Sequence, residues 1–335
     1  MSNPVLVEVL RGGRVESRHC GALAIVDADG AMVSAIGDVT VPIYPRSAVK
    51  ALQALPLIES GAADRYGLGD EELALACASH SGEPDHVAGV ERMLAKAGLD
   101  ASALCCGTHW PLSQAAAAAV ARAGGPSALH NNCSGKHAGF LCVACAMAVD
   151  PTGYWRPDHP AQRNVRAVLE DCTGAALTDD RRAVDGCSVP TWAIPLENLA
   201  RGFARFGTGR GLATERARAA ARLRAACAHK PWHVAGSGRF CTAIMLLFGA
   251  RVFVKTGAEG VYCGALPQQG LGIAIKCDDG AGRAAQAIMA AMIARYLPLD
   301  GAQETALAPH IHPVLRNWNG IEVGALRITE ALRGP

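Results

Sequence analysis

Short apolar runs rich in Val, Ile and Leu occur at Val5 to Leu10, Ala22 to Val26 and Ala31 to Ile36, the spacing of strands rather than helices. Asp27-Ala28-Asp29-Gly30 supplies turn chemistry between the last two. Toward the other end, Cys241 to Phe248, Arg251 to Lys255, Val261 to Leu266 and Leu271 to Lys276 alternate with Gly-containing turns, which predicts antiparallel hairpins. The middle has a different period. Glu91 to Ala97, Gln114 to Ala123, Gly135 to Val149, Pro160 to Cys172, Thr191 to Phe206 and Leu212 to Ala228 carry helical spacing or Ala-rich content, and Arg283 to Tyr296 adds a closing helix. These elements predict an α+β protein within the broad α/β class: an antiparallel sheet from both termini, packed with helices, plus a helical subdomain. The expected organisation is one catalytic unit, 1–335, with a sheet lobe at approximately 1–45 and 235–335 and a helical lobe at approximately 46–234. Gly124-Gly125-Pro126 is the one weak break between them.

At 335 residues, 50% hydrophobic and 19% charged, the chain can bury a large core and carries no disorder signature. A net charge of +2 without blocks of like charge lacks the footprint of a nucleic-acid surface or an anionic membrane. The start has no basic segment followed by an apolar core, and the longest apolar run, Phe140 to Val149, is too short to span a bilayer. A soluble, cytoplasmic protein with a small-molecule partner is expected. Thirteen scattered cysteines, an odd number, fit buried thiols in a reducing compartment better than a disulfide framework.

Lysine is scarce: six residues against 26 arginines. Arg stays protonated, whereas a desolvated Lys can lose its proton and act as a base, so each lysine draws attention. In YPRSAVKALQ, Pro45 signals a helix start and places Ser47 and Lys50 at i and i+3, where hydroxyl and amine can meet. ACASHSGEPDH puts Ser79 at a sharp turn between an apolar run and a new helix at Glu83-Pro84. HNNCSGKHAGFL gathers Cys133, Lys136 and His137 at one helix start, and DGCSVP adds Cys187 beside Asp185; two thiols with a nitrogen donor suit zinc. KTGAEGVY sets Lys255 at a strand end beside Gly257. Each stretch has a plain alternative: a solvated lysine, a serine N-cap, buried thiols, a hairpin salt bridge.

In this order along nearly the whole chain, YPRSAVKALQ, CASHSGEPDH, CCGTHWP, NNCSGKHAGFL, DGCSVPTWAIPL, HVAGSGRF, KTGAEGVY and KCDDGAGRAAQA resemble the class 3 L-asparaginases, the zinc-containing, rhizobial-type group of the asparaginase II family. The resemblance implies a fold like serine β-lactamases and glutaminases. It implies Ser47 and Lys50 as a first catalytic pair and Ser79 and Lys255 as a second. One zinc per chain would lie on Cys133, Lys136 and Cys187, although composition alone selects His137 over the lysine. Arg46, His137 and Asp185 match positions around the substrate. The implied activity is hydrolysis of L-asparagine to L-aspartate and ammonia by a homodimer. Two alternatives stay open: another Ser-Lys amidohydrolase, acting on glutamine or recognising β-lactams, and a non-enzymatic zinc-dependent amino-acid binding protein.

Overall fold

The computed structural model describes residues 2–332; residue 1 and residues 333–335, the outer ends of the ranges expected for the sheet lobe, lie outside them. Eight strands build one antiparallel sheet: β1 (Val5–Arg11), β2 (Arg14–Asp27), β3 (Met32–Ile36), β4 (Phe253–Thr256), β5 (Val261–Leu266), β6 (Leu271–Cys277), β7 (Val314–Arg316) and β8 (Glu322–Ile328). Their order is β7-β8-β1-β2-β6-β5-β4, with β3 also on β2. Strands from both ends of the sequence thus form one sheet, joined where β2 pairs β6, Ile25 opposite Ile273. This is the mixed α/β, antiparallel architecture the apolar pattern predicts. Asp27 makes the expected turn, its Oδ1 accepting from the backbone N–H of Asp29 and of Ala31, both at 2.9 Å.

The central strands read as continuous apolar runs because helices cover both faces. Gly264 of β5 faces Met289 of the helix Gly282–Tyr296, and its cross-strand partner is Ile273. The next residue, Gly272, points the other way, where a Cβ would stand 1.9 Å from the Ala200 carbonyl oxygen of the helix Leu196–Thr208. That helix packs Leu199, Ala200, Phe203 and Phe206 inward and leaves Glu197 and Arg201 outward, the 3.6-residue pattern of a half-buried helix.

Two expectations are corrected. Cys241 to Phe248 is not a strand but most of a helix, Phe240–Phe248, that buries Cys241, Ile244, Met245 and Phe248 and exposes Leu246; a short, nearly all-apolar run shows no period in its sequence to separate the two. Thr191 to Phe206 is divided: Pro190–Trp192 pairs with Arg182–Val184 as a ribbon, Ile194–Pro195 pairs with Pro42–Ile43, and only then does the helix begin at Leu196. Pro195 just before it fits a helix start. The helix Gly301–Ile311 and strands β7 and β8 carry weaker patterns and were not foreseen.

The helix Ser134–Ala146 is buried along nearly its whole length. It crosses so close to the helix Asp70–Ala76 that a Cβ on Gly135 would stand 2.3 Å from the Leu75 carbonyl. Its polar first turn is therefore carried into the interior, and that burial creates the site.

Candidate active site

Pro45 opens a turn of 3-10 helix, Arg46–Val49, that continues as Lys50–Gln53. Arg46 has φ +51, a left-handed conformation that residues with a Cβ adopt only when their surroundings impose it. One such constraint is the strand end after Lys255. A Cβ on Gly257 would stand 2.7 Å from the Pro45 carbonyl oxygen, so only glycine lets the two segments touch.

Lys50 is fully buried. Its Nζ donates to the Ala78 carbonyl at 2.6 Å and to Ser79 Oγ at 3.0 Å, with Asn132 O and Oδ1 further off at 3.3 and 3.4 Å. The i, i+3 spacing pointed to a Ser47 contact instead, yet the Ser47 hydroxyl makes no hydrogen bond among the described residues and is only half-buried. A buried amine settles where most acceptors surround it, and those lie at the 78–79 turn. Lys255, also fully buried, donates to the same Ser79 Oγ at 2.8 Å and to the Thr256 carbonyl at 3.0 Å. Ser79 thus stands between two amines. Burial and then the neighbouring Lys50 charge pull Lys255 down to about 7. Burial likewise lowers Lys50, helped by Lys136 and opposed by the Cys133 and Cys187 sulfurs.

The Ser79 turn is mounted from outside its own segment. Its N–H donates to the Val234 carbonyl at 3.0 Å, and Ser81 Oγ donates to that of Ala235 at 2.8 Å. Both Glu83 carboxylate oxygens accept from Ser237, at 2.9 and 2.8 Å. His80 accepts from the Gly82 N–H at Nδ1, 3.1 Å, so its Nε2–H donates to Ser134 Oγ at 2.9 Å. HVAGSGRF is therefore the cradle of the second serine, a role its sequence did not reveal. Asn132 and His80 were also missed; both adjoin residues singled out from sequence, which was the available signal.

On the other side, Lys136 Nζ donates to Cys187 Sγ at 3.0 Å. Burial opposes the Lys136 charge, but Cys187, Cys133 and Asp185 raise its affinity for the proton overall. The two thiols meet: a hydrogen bond from Cys187, followed by the Lys50 and Lys136 charges, holds Cys133 well below the usual thiol range against the opposing effect of burial, while Cys187 is pushed up. Cys133 Sγ also lies 3.2 Å from Asn132 Oδ1. Among the described residues no three His, Cys, Asp or Glu side chains converge as a metal-holding group; the cluster is two sulfurs and an amine.

Asp185 closes the site. Burial pushes its carboxyl up, yet the Lys136 and Arg46 charges outweigh that and hold it low, and Arg46 Nε donates directly to its Oδ1. His137 is completely buried and kept neutral by burial and by the charges of Lys136 and Lys50. Tyr154 OH accepts from the Cys105 N–H at 2.9 Å and lies 2.6 Å from His137 Nδ1. His137 Nε2 is buried and has no hydrogen-bond partner among the described residues.

The sequence model of the L-asparaginase II family matches residues 7–328. The chain belongs to the L-asparaginase II family. A search of curated proteins finds no match. Solved structures similar to this member of the family include a β-lactamase from Mycobacterium bovis, 13% identical, covering 83% of this chain and 95% of that one, with a TM-score of 0.41. Mglu is 17% identical over 84% and 68% of the two chains, TM-score 0.37, and a putative β-lactamase from Bacteroides dorei 14% identical over 77% and 84%, TM-score 0.38. Family membership makes the protein an amidohydrolase with an amino-acid substrate. Among the described residues no helix is long and apolar enough to cross a membrane.

Proposed function

We propose that this asparaginase II family member hydrolyses L-asparagine to L-aspartate and ammonia through its paired serines and lysines. The observation that carries the reading is the Ser79 hydroxyl, bonded at once by Lys50 and Lys255, together with a half-buried Ser47 whose hydroxyl makes no hydrogen bond among the described residues. An attacking hydroxyl must be reached by substrate, and a relay must not. Ser47 is then the nucleophile and buried Ser79 the relay.

When substrate fills the site, neutral Lys50 turns to Ser47, takes its proton as Ser47 Oγ attacks the side-chain carbonyl carbon, and returns to Ser79. Ser79 accepts that proton on its oxygen and passes its own to the departing nitrogen, so the C–N bond breaks and ammonia leaves. Water then attacks the ester, its proton running back along Ser79 and Lys50 to Ser47. Lys255 holds Ser79 in register and, when neutral, leaves Lys50 free to accept charge. The Asp185 carboxylate, oriented by Arg46, is suited to the substrate α-ammonium, and the unpartnered His137 Nε2 is available to a polar group of the substrate. The family resemblance places Arg46 around the substrate, where its charge also suits the α-carboxylate.

Cys133, Lys136 and Cys187 would hold one zinc ion. The donor set fits by charge: a thiolate, a thiol and an ammonium sum to zero, and so do two thiolates, a neutral amine and a dication. Bound there, the ion would supply Lewis acidity toward a substrate oxygen and tie the three side chains together. A cytoplasmic homodimer completes the reading.

The test is ammonia release from L-asparagine and L-glutamine, with nitrocefin as a third substrate. Turnover of asparagine well above both others is expected; preference for glutamine or nitrocefin overturns the substrate, and binding without ammonia release supports the non-enzymatic alternative. A diazoketone analogue of asparagine should label Ser47, and a label on Ser79 would exchange the two serine roles.

A further inference from the structure

Arg239 is a further cation beside the Ser79 turn. Arg46 is already engaged by Asp185 and Lys136 by Cys187. Arg239 is half-buried, and its single hydrogen bond runs from Nη1 to Ser81 Oγ at 3.3 Å, two residues from Ser79. No carboxylate among the described residues lies within ion-pair distance of it. Its charge nevertheless reaches the reaction centre, being one of those that depress Lys255.

Its position is fixed by the same loop that fixes the serine. Val234 accepts from the Ser79 N–H, Ser237 is clamped by both oxygens of Glu83, and the Gly236 carbonyl accepts from Thr242 Oγ1 at 2.7 Å. Gly236 has φ +114, and a Cβ there would stand 2.6 Å from Glu83 Oε1. That loop leads directly into Arg239, whose guanidinium, a permanently charged fork, uses one of its five N–H groups among the described residues. A planar fork of this kind recognises a carboxylate bidentately.

We propose that Arg239 is the anchor for the substrate α-carboxylate, with Arg46 serving to orient Asp185. The inference rests on the amino-acid hydrolase reading and names the group that reads the acid end of that substrate. It also gives a purpose to HVAGSGRF, which then carries both the serine mount and the anchor.

The experiment compares L-asparagine with its α-amide, which lacks the carboxylate charge, in wild type, Arg239→Ala, Arg239→Lys and Arg46→Ala. Loss of a bidentate charged contact predicts a rise in KM for asparagine of about 30- to 100-fold in Arg239→Ala, with a change in kcat of less than about 5-fold. KM for the α-amide should stay within about 2-fold, and Arg239→Lys should recover part of the asparagine loss. Equal losses on both substrates would make Arg239 a structural residue and overturn the proposal, as would a carboxylate-dependent loss confined to Arg46→Ala. Calorimetric binding of L-aspartate to wild type and Arg239→Ala, which needs no turnover, separates the two failures. If wild type releases no ammonia, the hydrolase reading fails, and weaker aspartate binding by the variant still supports the anchor while equal binding sinks it.

Discussion

Ser79 and Lys255, 176 positions apart, meet at 2.8 Å, and Lys50 reaches the same hydroxyl at 3.0 Å. An exposed hairpin lysine would be a solvated charge worth little; Lys255 is completely buried, and its burial lowers its hold on the proton.

Ser47→Ala, Ser79→Ala and Lys255→Met should each lower kcat at least about 10³-fold, because residues acting as a unit fail together. Lys50→Arg should fail equally, since arginine keeps its proton. Steady-state ammonia release beside melting curves checks this; a Lys50→Arg variant retaining most of its kcat would remove Lys50 as the base.

Activity should depend on the Lys255 proton. The reading needs neutral lysines, and Lys255 sits at about 7, so kcat/KM should climb as pH rises through that value and level off above it. A profile that falls over the same interval would mean that a charged Lys255 is the active form.

His86 predicts acid sensitivity. It stacks on Trp232 at 4.0 Å, with Nδ1 and Nε2 both hydrogen-bonded, and burial lowers it to about 4. An unfolded histidine binds its proton near 6.5, so between these values the unfolded state holds the extra proton and stability falls as pH drops. Denaturant melts of His86→Phe should show a pH slope shallower by about one proton, roughly 1.4 kcal/mol per pH unit. Parallel slopes would assign the acid sensitivity to other groups.

Purified protein should contain one zinc per chain by elemental analysis, and the Cys133→Ser, Cys187→Ser double variant none. Chelation should weaken substrate binding more than it lowers Tm, because a core of this size folds without a metal. Equal metal in both proteins would place any zinc elsewhere.

Gly272→Ala tests the packing that supports the site. With a Cβ 1.9 Å from the Ala200 carbonyl, the helix Leu196–Thr208 must move off the sheet, a cost of about 3 kcal/mol or more. Chemical denaturation reads it; a loss below about 1 kcal/mol would show that the helix yields easily.

Much of this protein was determined by its sequence locally. Alternation and turn residues mark most strands, Pro160 and Pro84 open helices where they stand, and the order of the motifs places the chain in its family. The tertiary structure decided what local spacing cannot carry. Cys241 to Phe248 became a helix with one buried face, which its nearly all-apolar sequence could not show because it has too few polar positions to mark a period. Lys50 left Ser47, its neighbour in sequence, for Ser79, because a buried amine goes to the acceptors around it rather than to the nearest hydroxyl along the chain. Arg46 paired with Asp185, and Arg239 reached Ser81, through contacts between segments far apart. The depressed lysines have the same origin: composition makes a lysine available, but only the packing of distant elements takes the water from it.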